Sequence, residues 1–173
     1  MNTDYIVFLG LYLVGLLIRA SYELLKKARR VNPEGTILYA VVLVVMFTLW
    51  ASWFSMCPLD PLRITLPDTF RWTGLGVLIV GSGLAIGALV QLKGVENIEH
   101  FVTTGLFSKL RHPMYTGFIL WILGWVTYHG AVVSLFFGLV GIGNILYWRR
   151  LEEEKLESRY GADYREYRKR TWF

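Results

Sequence analysis

Apolar residues in this chain are gathered into blocks and do not follow the alternating or single-face patterns of a soluble fold. Residues 5–18, 36–57, 73–92, 114–128 and 131–148 contain no Asp, Glu, Lys or Arg. A helix needs about 20 mostly apolar residues to cross the bilayer core. The second and third blocks reach that length and the fifth nearly does. The first and fourth are short, so they borrow flanking residues or lie beside a thinned or protein-filled region. The pattern predicts an all-α integral membrane protein with five transmembrane helices, at about 5–20, 36–57, 73–92, 114–128 and 131–148. Residues 1–173 form a single domain. Asp4 stands ahead of the first block with no Lys or Arg, and no small-x-small site follows, so that block reads as a retained span and not as a leader.

The polar runs between the blocks predict the connections. "SYELLKKARRVNPEG" reads as a short basic helix stopped near Asn32-Pro33. "CPLDPLRITLPDTF" holds three of the five prolines and predicts an extended loop that seals one face of the bundle. Beyond Trp148 the tail continues the fifth helix until Gly161, after which a short amphipathic piece completes a C-terminal extension. "GLGVLIVGSGLAIG" is not a nucleotide-binding loop, since neither a strand nor the third glycine is present. Gly83 and Gly87, four apart, instead predict close helix packing.

Charge placement agrees with five spans. Only Arg63 and Arg71, of 18 Lys and Arg, fall on the side of the second and fourth loops; the other sixteen flank the opposite ends of the spans. The positive-inside rule makes that side cytoplasmic and puts the N-terminus outside and the C-terminus in the cytoplasm. The membrane would be the cell inner membrane in a prokaryote or the endoplasmic reticulum in a eukaryote. With 54% hydrophobic and 18% charged residues, a soluble domain is excluded. The basic tail is too mixed with Glu to be a nucleic-acid patch, so no nucleic-acid partner is expected. Cys57, the single cysteine, reads as a small buried hydrophobe.

Polar groups with chemical potential cluster next to the membrane in two segments, 91–115 and 144–161. Polar side chains this close to a bundle are costly and mark a site. "ENIEH" (96–100) lacks a further histidine at ligand spacing, so no metal is expected. No nucleophile is paired with a base in a recognisable context. Arg111 and His112 alone would also fit side chains snorkelling to phosphates. On the fifth helix, however, Asn144, Trp148 and Glu152 recur every four residues on one face. The fourth and fifth spans are joined by only Tyr128-His129-Gly130-Ala131, so they form a hairpin that returns Glu152 to the level of Arg111 and His112. A pocket follows, lined by cation and carboxylate and roofed by Phe107, Tyr115, Tyr147 and Trp148. Gly138, Gly141 and Gly143 would leave room beside the fifth helix for a lipid-tailed ligand to approach sideways.

The order "HFVTTGLF", "LRHPMYTGF", a hairpin of spans and "EEEKLESRYGADYREYRKR", over residues 91–170, resembles the isoprenylcysteine carboxyl methyltransferase family. It is similar, more loosely, to the phospholipid N-methyltransferases. The resemblance implies an integral membrane enzyme that uses S-adenosylmethionine, bound in a cytoplasmic pocket, to methylate a lipophilic small-molecule or prenylated acceptor in contact with membrane lipid. It implies cofactor contacts at Glu99, His100, Phe101, Val102, Phe107, Arg111, His112, Pro113, Met114, Tyr115 and Glu152, with Gln91 a looser match. The cofactor's carboxylate suits Arg111 or His112, and its ammonium suits Glu152. The family carries an arginine four residues before this glutamate, as a substrate clamp; here that position is Trp148. Arg149 and Arg150 are adjacent but point elsewhere on an ideal helix. Arg149 and Glu152 are the residues expected to act at the reaction centre, with Asn144, Trp148 and Arg149 facing the acceptor. The acceptor itself is open among a prenylcysteine carboxylate, a phospholipid amine and a thiol. Two readings from other classes are a membrane sterol reductase using NADPH and a non-catalytic scaffold. The reductases typically carry tryptophan after the turn that here reads "RYGADY".

Overall fold

The computed structural model describes residues 2–28, 30, 36–92 and 101–173. The described residues form five α-helices: α1 (Thr3–Lys27), α2 (Thr36–Met56), α3 (Asp68–Leu92), α4 (Pro113–His129) and α5 (Val132–Arg170). Short 3₁₀ turns lie at Cys57–Leu59 and Gly105–Ser108. Each apolar block lies in a helix, and every helix but α2 overruns its block. α1 carries the chain without a break past Arg19 to Lys27, where a separate basic helix was expected. α5 runs for 39 residues and is broken only at Gly161, whose φ of 53° and ψ of −115° leave the helical region. Glycine tolerates that backbone, which is why the extension bends there.

Among the described residues, four helices are long and apolar enough to cross a membrane: α1, Ala40–Leu59 in α2 and the turn after it, α3 and α5. α4 has only 17 residues, about 26 Å of helix against a hydrocarbon core of about 30 Å. It does not face lipid alone. A Cβ on Gly117 would lie 2.6 Å from the Gly81 carbonyl oxygen and 2.8 Å from the Ala85 nitrogen. One on Gly124 would lie 2.6 Å from the Gly74 carbonyl oxygen. These two points, seven residues apart on each helix, let antiparallel backbones touch. Trp121 Nε1 donates to Ser82 Oγ (2.9 Å) between them. The packing glycines of α3 are therefore Gly74 and Gly81. Gly83 has nothing within 4 Å of its Cβ position, and Gly87 meets only Leu106.

The core sits where α1, α2, α4 and α5 converge on Tyr12, Leu49, Trp53, Ile122, Ile145 and Trp148, all nearly inaccessible. The room expected beside α5 is occupied there. A Cβ on Gly138 would lie 2.7 Å from both Ile122 and Trp53, and one on Gly141 would strike the Tyr12 hydroxyl. Gly143 faces outward with no neighbour. At the end of the bundle carrying Arg63, the 58–67 loop is stitched to the α4–α5 turn. Ile64 N donates to Gly130 O (2.9 Å) and Val132 N to Leu62 O (3.0 Å). Asp60 accepts from the backbone of Ser134 (2.6 Å), so a carboxylate closes the N-terminus of α5. Cys57 is buried within that end as a free thiol. The ionic cluster of Arg111, His112 and Glu153 lies at the opposite end.

Candidate active site

Pro113 opens α4, where its missing N–H costs nothing. The residue before a proline is pushed out of the helical region, and His112 sits at φ −128°, ψ 61°. Its carbonyl still accepts from Thr116 N (3.0 Å), which starts the helix. Arg111 and His112 are thus held off the mouth of α4 by backbone geometry, and α5 rises beside them. His112 is only 4% exposed.

Two consecutive glutamates of α5 meet this pair. Glu153 Oε1 lies 3.3 Å from Arg111 Nε and 3.3 Å from His112 Nε2. Glu152 Oε2 lies 3.8 Å from His112 Nδ1. The expected meeting with Glu152 is therefore shared, and the cations' main partner is its neighbour. The His112 hydrogen bond to Glu153, with further attraction from His112, Arg149 and Arg111, lowers that carboxyl to about 2. The Glu152 side chain is 34% exposed against 14% for Glu153, which leaves it the more available carboxylate.

The C-terminal residues strap this cluster. Arg111 Nη1 donates to the carbonyls of Thr171 (2.5 Å) and Arg168 (3.0 Å). Arg111 N donates to Trp172 O and Trp172 N to Lys109 O, each at 2.8 Å. Phe173 lies under the Arg149 guanidinium at 4.6 Å and presents an edge to the His112 ring at 6.5 Å. Arg149, Arg111 and His112 thus belong to one cluster, with Tyr115 stacked on His112 at 5.5 Å. Among the described residues, Arg149 Nε and Trp148 Nε1 are buried there without partners.

The remaining expected contacts are placed less directly. Phe101 stacks on Tyr160 (4.9 Å, 19°) and meets Tyr167 edge-on at 5.1 Å. Tyr167 in turn donates to Phe107 O (2.7 Å). Both phenylalanines therefore fasten the 101–108 segment to the C-terminal extension. Gln91 accepts from Leu106 N (3.1 Å) and packs over Gly105, whose φ of +60° and lack of Cβ the contact requires. Val102 and Met114 are half-buried beside them and Pro113 is buried. Glu99 and His100 lie outside the described residues. Asn144 turns back on its own helix, donating to Val140 O (3.2 Å). Trp148 is buried, but Tyr147, expected in the roof, is exposed on the outer face of α5.

Three parts of the cluster escaped the sequence reading: Glu153, the 171–173 strap, and a buried ion pair on α1. Arg19 pairs with Glu23, and its guanidinium lies 5.0 Å from the Trp148 ring centre. The i, i+4 spacing of Arg19 and Glu23 was the available signal.

The phospholipid methyltransferase family model matches residues 71–163, which include α4 and the glutamates of α5. A methanethiol S-methyltransferase of Pseudomonas deceptionensis is 34% identical over 146 residues, covering 75% of this chain and 53% of the relative. A protein-S-isoprenylcysteine O-methyltransferase of Schizosaccharomyces pombe is 34% identical over 114 residues, covering 60% of this chain and 48% of the relative. The chain spans about half the length of these two relatives. No solved structure matches it significantly.

Proposed function

This chain belongs to the phospholipid methyltransferase family, and from that premise we propose that it is a membrane methyltransferase using S-adenosylmethionine to methylate a lipophilic acceptor. The observation that carries the reading is the convergence of Arg111, His112, Arg149, Glu152 and Glu153 at one end of an apolar bundle, inside the segment the family model covers. The donor set fits a zwitterionic amino-acid group. His112 and the unpartnered Nε of Arg149 can bind its carboxylate, and Glu152 its ammonium. Arg111, engaged by Glu153 and the strap, holds this arrangement in place. Gln91, Phe101, Val102 and Phe107 would bound the nucleoside side. Pro113, Met114 and Tyr115 would form the wall toward the membrane.

Bound there, S-adenosylmethionine supplies an electrophilic methyl group on a sulfonium, ready for in-line displacement by an acceptor lone pair. The protein's residues align the acceptor and exclude water, and no covalent enzyme intermediate is needed. Asn144, Trp148 and Arg149 face the acceptor's side of this centre. The relatives' names point to a thiol or a prenylcysteine carboxylate, both nucleophiles that act as anions. Incubation of purified protein with methyl-labelled cofactor and, separately, methanethiol, a prenylated cysteine and a phospholipid amine tests the reaction. Label transfer to one of the first two is expected; transfer to none contradicts the reading.

We further propose five crossings, with α4 spanning alongside α3; the charge bias along the sequence then supports a pocket on the cytoplasmic side, where a charged cofactor is available. A cysteine introduced at Ser158 should resist an impermeant reagent added outside, and cysteines at 60–68 should react. Labelling at 158 from outside would reverse the topology.

A further inference from the structure

Trp172 is fixed by its backbone and open at its side chain. Its N–H donates to Lys109 O and its carbonyl accepts from Arg111 N, each at 2.8 Å, while the residue stays 81% exposed. These bonds place it level with Leu110, about one helical turn before Pro113 opens α4. That is the rim where the apolar bundle gives way to water. At the opposite rim of α4, Trp72 is 64% exposed and meets the Tyr128 ring edge-on at 6.3 Å. Tryptophans standing open at both rims match the aromatic belts of membrane proteins, whose rings settle at headgroup depth. Charge separates the two rims. Beside Trp72, Arg71 is offset by Asp68 (3.6 Å). Residues 165–172 instead hold Arg165, Arg168, Lys169 and Arg170 against one carboxylate, Glu166. Arg165 and Arg168 pair with Glu157 (3.6 and 3.8 Å). Lys109, Lys169 and Arg170 are exposed and have no ion-pair partner among the described residues.

We infer that Lys109, Lys169, Arg170 and Trp172 form a docking surface for anionic phospholipid headgroups at this rim. The cations meet the phosphates while the indole lies at headgroup depth. Each basic residue held at an anionic membrane surface strengthens the attraction roughly 5-fold. The consequence reaches the ionic cluster, because the docked segment is the strap. Arg111 donates to the carbonyls of Arg168 and Thr171, and Phe173 lies against Arg149. Anionic lipid thus clamps the strap over the cluster from outside. The lipid is a fixture of the rim and not the methyl acceptor.

Hydrogen exchange of the full-length protein tests this, in nanodiscs of phosphatidylcholine alone and of equal parts phosphatidylcholine and phosphatidylglycerol. The Trp172 and Arg111 amides should exchange at least roughly 10-fold more slowly in the anionic discs, since their protection follows the free energy of opening the strap. The 58–67 loop, at the other end of the bundle, should exchange equally in both. Molar sodium chloride, which shortens the screening length to about 3 Å, should close the gap. So should the combined variant Lys109→Gln, Lys169→Gln, Arg170→Gln. Trp172→Ala should speed Arg111 exchange in both discs, because the indole's share does not depend on lipid charge. The salt comparison uses wild type alone and decides the matter if a variant does not fold. Equal exchange in the two discs, a gap that survives salt or the combined variant, or Trp172→Ala matching wild type overturns the inference. So does equal slowing by inorganic phosphate added to phosphatidylcholine discs, which would assign the cations to a soluble anion. No cofactor is present, so every outcome leaves the methyltransferase reading to its own test.

Discussion

Replacing Glu153 with alanine should destabilise the protein by about 3 kcal/mol and remove cofactor binding, although Glu153 is not the residue expected to touch the cofactor. Its carboxylate is the common partner of Arg111 and His112, and all three side chains are mostly buried. Removing one member of a buried ionic cluster leaves the others uncompensated, at a cost of about 3–5 kcal/mol. Arg111 keeps the carbonyls of Arg168 and Thr171, which places the loss at the lower end. Without Glu153 the strap and the mouth of α4 lose their common anchor, so the site loses its shape as well. Thermal unfolding in detergent measures the first effect and calorimetry the second. The acid dependence has a defined sign. The hydrogen bond from His112 depresses the Glu153 carboxyl from 4.5 to about 2. Its contribution is present above about pH 4.5 and fades as pH falls toward 2. The stability gap between wild type and Glu153→Gln should therefore be constant near neutrality and close on acidification. A gap that widens below pH 4.5 would contradict the pairing.

Gly117→Leu should be as damaging, through packing alone. Its Cβ would press on the Gly81 carbonyl and the Ala85 amide, and backbone cannot move aside as a side-chain tip can. Overpacking costs about 1–3 kcal/mol, with the upper end expected here because the obstacle is backbone, and it would prise α4 from the helix that supports it. Gly83→Leu, on the open face of the same α3, should be within about 0.5 kcal/mol of wild type. The contrast is measured by the unfolding temperatures of the two variants. Similar losses for both would mean that α3 and α4 do not meet along Gly74, Gly81, Gly117 and Gly124.

The same contrast marks the limit of the sequence. Five helices were legible because the apolar blocks are separated by charge, proline or, between the fourth and fifth, His129-Gly130. Their faces were not, because a helix that is apolar all round carries no polarity to orient it. Gly83 and Gly87 have the familiar small-xxx-small spacing, yet the contact runs along the seven-residue spacing of Gly74 and Gly81. At the site, the short 128–131 turn was enough to bring α5 back beside Arg111 and His112. Which of three successive glutamates they meet depends on the rotation of α5 about its axis, since neighbours differ by about 100°. Glu152 and Glu153 divide that contact between them. Arg19 read as one more cytoplasmic basic residue because its burial depends on Trp148, far away in sequence. The strap at 171–173 lies beyond every motif, and its pairing with Lys109 and Arg111 is made by backbone atoms, which leave no residue signature.

The most direct measurement is a calorimetric titration of S-adenosylmethionine into wild type and Glu152→Gln, with unfolding temperatures recorded for both. Glu152 is the more exposed carboxylate of the cluster, so the variant should fold normally. Wild type should bind saturably. Glu152→Gln should lose roughly 10- to 150-fold in affinity, the weight of one charge-assisted hydrogen bond, at an unchanged unfolding temperature. No binding by wild type, or equal affinity in the two proteins, would contradict it.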